Sequence, residues 1–197
     1  MSRATPLHLL LTASLFMLVT LGGCATPALT GLTLETRIKD DRIVGTWVAV
    51  DDGEEDGEEF TIVQMEDEVY EIRAPGEDGK TLFYKITLHL FQGGLFVDMT
   101  LPDRTIDDLN DDHSWLLIPV HMFARLELED GRARAWALDE EWVDQQTQSK
   151  VIATTEFPGT DAPPLIAATP SALEKLLTRA AKDPAAWMDV MEFKRVR

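Results

Sequence analysis

From residue 43 onward, apolar residues recur at every second position in short runs that are broken by Gly, Pro and acidic clusters. The runs at residues 43–50, 60–65, 69–74, 81–90, 95–101, 115–128, 132–138 and 151–156 predict strands, because period two places alternate side chains on one face of a pleated backbone. Between them lie turn sequences such as Pro75-Gly76-Glu77-Asp78-Gly79, Gln92-Gly93-Gly94 and Glu129-Asp130-Gly131, which favour hairpins. In 81–90 one face carries Leu82, Tyr84, Ile86, Leu88 and Leu90, and the other Thr81, Phe83, Lys85, Thr87 and His89. Tyr70, Ile72 and Ala74 form a second apolar face, and the even positions from Leu116 to Leu128 a third, with Pro119 predicting a bend because it cannot donate to a ladder.

The period changes near the end of the chain. Thr169-Pro170 reads as an N-cap with proline in the first turn, after which Leu173, Leu176, Leu177 and Ala180 follow helical spacing. Ser171 and Glu174 offer an alternative capping box. A more polar helix over 139–148 would pack through Trp142 and Val143, and the alternation of Met191, Phe193 and Arg195 predicts a closing strand over 190–196. Seven or eight strands, each with one apolar face, predict a mainly β fold. An antiparallel up-and-down barrel of about eight strands satisfies both burial and edge pairing; a two-sheet sandwich is the competing arrangement.

Before residue 43 the pattern is different. Arg3 is followed by an uncharged apolar stretch from Leu7 to Leu21 and then by Gly22-Gly23-Cys24. At about 15 residues the stretch is shorter than the roughly 20 a membrane-spanning helix requires, and its layout is that of an export signal. Leu21-Gly22-Gly23-Cys24 resembles the lipobox of bacterial lipoproteins. The resemblance implies cleavage before Cys24, a thioether from its sulfur to diacylglycerol, and usually an acylated new amino terminus; an N-terminal membrane helix is the alternative. The expected organisation is a signal peptide at 1–23, a lipidated tether at 24–40 and a barrel domain at 41–197. Two or more acyl chains give stable attachment. In a Gram-negative cell, Ala25 rather than Asp after the cysteine favours the outer membrane, facing the periplasm.

Composition narrows the chemistry. Cys24 is the only cysteine, so its lipidation leaves no thiol for a disulfide, a nucleophile or a thiolate metal site. A formal charge of −17 repels nucleic acid. His89, His113 and His121 lack metal-ligand spacing, and the places of His89 and His121 in the alternation read as surface or rim. No serine lies in a Gly-x-Ser-x-Gly elbow. The acidic run from Asp51 to Glu59 can be threaded onto a calcium loop only with Val63 at the bidentate position, so it reads as a hydrated hairpin. Asp103, Asp107, Asp108, Asp111 and Asp112 form a second acidic cluster in the longest loop.

Gly45-Thr46-Trp47 at the first strand, followed by hairpins, a late helix and a closing strand, resembles the lipocalins and the wider calycin group of small β-barrels. Residues 43–197 are also similar to uncharacterised bacterial lipoproteins that carry such a domain. The resemblance implies that Trp47 plugs the closed end of the barrel, with Arg195 over it and Gly45 completing the motif. It further implies a non-catalytic binding module without a cofactor, taking a small apolar ligand in the barrel. The candidate cavity residues are Tyr84, Ile86 and Leu88 on one strand and Ala133, Ala135 and Ala137 on another, whose small side chains leave room unless they lie beneath a helix. The alternative function is a packed scaffold whose acidic loops hold a cationic envelope protein.

Overall fold

The computed structural model describes residues 26–51, 53–55, 57–76, 79–92, 94–102, 120–155, 164–188 and 190–197. In chain order its strands are β1 (Arg37–Ile38), β2 (Gly45–Asp51), β3 (Glu54–Glu55), β4 (Phe60–Glu66), β5 (Val69–Pro75), β6 (Thr81–Phe91), β7 (Gly94–Thr100), β8 (Met122–Glu129) and β9 (Arg132–Ala137). Helix α1 (Glu140–Gln148), strands β10 (Thr154–Thr155) and β11 (Leu165–Ile166), helix α2 (Pro170–Ala180) and strand β12 (Met191–Arg195) follow.

Eight strands close into an antiparallel barrel in the order β2-β4-β5-β6-β7-β8-β9-β12, and β12 returns to β2. The long β6 makes this possible: its first seven residues pair with β5, its last seven with β7, and His89 and Leu88 take β1 as an extra edge. Register aligns the inward faces. Trp47 lies opposite both Phe60 and Arg195, Tyr70 opposite Ile86, Leu126 opposite Ala135, and Ala133 opposite Phe193. Trp47, Phe60, Ile62, Tyr70, Ile86, Leu88, Leu126, Ala133 and Ala135 form one buried cluster inside the barrel.

The eighth barrel strand is β12 rather than the run at 151–156. That run supplies only β10, which pairs with β11 in a separate two-stranded sheet. Met191 and Phe193 pack against the barrel cluster, whereas Ile152 and Ile166 are buried in a second core outside the wall. The run expected from residue 115 pairs from Met122 onward; its beginning and the bend at Pro119 lie outside the described residues.

The second core lies between the outer faces of Phe96 on β7 and Phe123 on β8 and a covering layer of helices and N-terminal chain. Helix α1 buries Trp142 and Val143, and the Asp139 side chain accepts a hydrogen bond from the Trp142 N–H at 2.9 Å as its N-cap. Helix α2 starts at Pro170 with Thr169 as N-cap and buries Leu173, Leu176, Leu177 and Ala180, the four residues its periodicity predicts. The segment expected to be a tether belongs, in its described part, to this layer. Thr26 and Ala28 are buried, and Ala28 exchanges backbone hydrogen bonds of 2.8 and 2.9 Å with His121. Residues 26–36 thus form a strap along the barrel wall.

Candidate functional site

One end of the barrel is sealed. The Trp47 indole N–H donates to the Ile43 carbonyl at 2.9 Å, tying the ring to the short 3-10 turn that precedes β2. The Arg195 guanidinium lies 4.9 Å from the centre of the Trp47 ring and donates to the Arg42 carbonyl. Gly45 makes this closeness possible. Its φ is +147°, and a Cβ there would come within 2.7 Å of the Arg197 carbonyl oxygen and 3.2 Å of the Arg195 side chain. The three residues of the predicted motif therefore meet at one place, each constrained by the other two.

The opposite end is where β5, β7 and β9 finish and β6, β8 and β12 begin. Its inward positions are Leu82 and Tyr84 on β6, Met99 on β7, Met122 and Ala124 on β8, Ala137 on β9 and Met191 on β12. All but Ala137 are half-buried. Burial pushes the Tyr84 phenol above its ordinary pKa, so the hydroxyl is neutral and available as a hydrogen-bonding group at this rim. Methionine side chains are unbranched and polarizable and repack around different shapes.

The candidate cavity residues differ in burial. Ile86, Leu88, Ala133 and Ala135 are buried in the barrel cluster, Tyr84 is half-buried and packs against it, and Ala137 is buried at the end of β9. The alanines lie inside the barrel and not beneath a helix. Between them, Arg134 and Trp136 point outward, and the Arg125 and Arg134 guanidinium groups lie 5.4 and 6.0 Å from the Trp136 ring.

Two histidines assigned by their strand patterns to surface or rim are instead part of the layer between barrel and strap. His89 is fully buried. Its Nδ1 lies 2.9 Å from Thr36 Oγ1 and its Nε2 2.9 Å from Thr87 Oγ1. Thr36 in turn donates to Glu174 at 3.2 Å, and Glu174 also accepts from the Thr33 N–H at 3.1 Å and from the Thr33 hydroxyl. Desolvation holds the His89 pKa below its ordinary value, against the opposing pull of Asp98. His121 Nδ1 donates to Asp98 at 2.6 Å, and the other Asp98 oxygen accepts from the Leu32 N–H at 2.9 Å. The reason for the difference is the strap, which covers what a lone hairpin would leave wet. A signal existed in the sequence: Leu95, Phe96 and Val97 are apolar on both faces of β7, as a wall covered on both sides requires.

A cleft of about 290 Å³ opens beside this network, bounded by Gly31, Arg37, Lys85, Asp98, Thr100 and His121 among others. Arg37 Nε and Thr100 Oγ1 are buried without a hydrogen-bond partner among the described residues. A second, shallower groove of about 590 Å³ runs past the end of α1 and the start of α2. Among the described residues no three His, Cys, Asp or Glu side chains cluster closely enough to hold a metal, and neither Ser149 nor Ser171 is hydrogen-bonded to a histidine. The acidic run keeps its exposure at residues 51, 53–55 and 57–59, with Lys194 Nζ 2.7 Å from Glu55 and Arg197 3.6 Å from Glu59. Cys24 and the cluster from Asp103 to Asp112 lie outside the described residues.

Comparison of the chain with protein-family models, curated proteins and solved structures yields no match.

Proposed function

We propose that this chain is an exported lipoprotein, anchored through Cys24 in the envelope membrane and facing the periplasm, whose lipocalin-like barrel binds a small apolar ligand at its mouth. The observation that carries the binding reading is the half-buried inward ring of Leu82, Tyr84, Met99, Met122 and Met191 at the end opposite the Trp47–Arg195 plug. A packed lower barrel limits the ligand to the upper part, where the methionines can move aside and Tyr84 can supply one hydrogen bond. No cofactor enters this reading.

The test is titration with the neutral, environment-sensitive fluorophore N-phenyl-1-naphthylamine, using the chain from Ala25 onward and the variants Met99→Glu and Met191→Glu. Because an apolar side chain is worth about 1.5–3 kcal/mol when buried, each variant should weaken binding by about tenfold or more. Absence of binding by the unsubstituted chain, or equal binding by all three, would remove the barrel mouth as a site.

A second reading draws on the exposure of the acidic segment from Asp51 to Glu59. Here the segment holds a cationic envelope protein while the barrel serves as scaffold. Cross-linking in the envelope would then yield a partner that is lost when Glu54, Glu55, Glu58 and Glu59 are changed to glutamine, and that weakens steeply with salt. Salt-insensitive capture would exclude it.

A further inference from the structure

The strap is fastened to the rest of the fold from its first described residues. Thr26 is buried against the barrel, and Pro27 and Ala28 are hydrogen-bonded to Ile166 and His121. Cys24 is two residues away, so its Cα lies within about 7 Å of that of Thr26. With acyl chains on Cys24, a link this short would leave the barrel little room to swing above a bilayer.

The flank beside that point differs in charge from the rest of the molecule. Lys175 and Arg179 lie on the exposed face of α2, opposite its buried leucines, Lys182 follows in the turn after the helix, and none of the three is ion-paired among the described residues. The acid on the helix, Glu174, faces the strap and is taken up by Thr33 and Thr36. In a chain with 35 acidic and 18 basic residues, these three cations outnumber the neighbouring acids, Glu35 on the strap and Asp183 after Lys182. The strap carries two exposed leucines: Leu29 is 36% and Leu34 69% accessible. The strap is fastened alongside α2 by Thr30, whose hydroxyl donates to the Ala168 carbonyl at 2.7 Å. The acidic β2–β3 edge is on the far side, since β2 is four strands from β7 in either direction round the barrel.

We infer that the face formed by the strap and α2 is a membrane-docking surface: Lys175, Arg179 and Lys182 meet anionic lipid headgroups, Leu29 and Leu34 enter the interfacial region, and the acidic wall at β2 faces away. This rests on the reading of Cys24 as the lipid anchor. Basic side chains near an anionic leaflet are attracted individually and additively, and the acyl chains supply the lasting attachment. The barrel therefore lies side-on, with its mouth beside the lipid rather than far from it.

The experiment uses the mature, acylated chain purified from membranes and placed in phosphatidylcholine vesicles containing about one-third phosphatidylglycerol and a headgroup-attached fluorescence quencher. A fluorophore is attached to Ser171→Cys on α2 or to Glu54→Cys on the opposite wall. Quenching should be about threefold or more stronger at Ser171 than at Glu54, and the difference should shrink without phosphatidylglycerol or at high salt. It should also shrink in the triple variant Lys175→Gln, Arg179→Gln, Lys182→Gln, whose α2 buried face is intact and whose helicity is checked by circular dichroism. Equal quenching at both sites on a chain with acylated Cys24 would overturn the docking surface and leave the anchor standing. An unmodified Cys24, read by mass spectrometry of the same sample, would overturn both.

Discussion

Gly45 has no side chain because the returning C-terminus occupies its space. A Cβ would meet the Arg197 carbonyl oxygen, and its φ of +147° is disfavoured for any other residue. Gly45→Ala should therefore lose on the order of 1–3 kcal/mol of stability in urea denaturation. Arg195 closes the same end by lying over Trp47, so Arg195→Gln should cost about 1–2 kcal/mol, the range for a partly desolvated cation above an indole. The two substitutions share neighbours, and their combined effect should fall short of the sum. His89 gives a separate signature in pH. Its folded pKa is lowered from the ordinary 6.5, so on acidification the unfolded chain takes up a proton first. Stability should fall as pH drops below 6.5, and His89→Gln should flatten that part of the curve while keeping a hydrogen-bonding side chain. An unchanged slope in the variant would mean that other groups carry the acid sensitivity.

At the scale of elements, legibility in the sequence followed burial on one face. The alternation of Leu82, Tyr84, Ile86 and Leu88, and the helical recurrence of Leu173, Leu176, Leu177 and Ala180, each point to one core, and both elements form as their periods predict. The run at 151–156 has apolar residues, but among its described residues only Thr154 and Thr155 pair as a strand, and Ile152 is buried in the helical layer. Residues 26–36 were the least legible. Their Thr, Pro and Gly content resembles a linker, and many of the contacts that hold them reach far along the chain: Leu32 to Asp98, Thr33 to Glu174, Thr36 to His89. No local period records such contacts. Gly31 shows how tight the fit is, since a Cβ there would approach Asp98 Oδ2 to 2.6 Å and the His121 ring to 2.8 Å. Gly31→Ala should loosen the strap before the barrel, seen as faster amide exchange at residues 28–32 with β7 and β8 still protected. The helix N-cap is a simpler case: Thr169→Ala should cost about 1 kcal/mol.

For the whole molecule, the barrel plug and mouth were accessible in different degrees. Gly45 lies against Arg195, and Arg195 lies over Trp47, although Arg195 is far from the other two in the chain. The mouth was only partly legible. Alternation tells inward from outward but not degree of burial, and so the fully buried Ile86 and Leu88 shared a set with the half-buried Tyr84. The methionines now placed at the rim come from three strands, and only register brings Met99 beside Met122. The proposed reading is of a barrel held at a membrane that takes a small apolar molecule among these residues. Native mass spectrometry of the mature chain, extracted from its own envelope, tests it most directly. The expected result is a chain beginning at an acylated Cys24 that carries a non-covalent apolar molecule, released on mild activation and reduced in Met99→Glu. A chain that retains residues 1–23, or an acylated chain that is uniformly empty and takes up no naphthylamine probe, would contradict it.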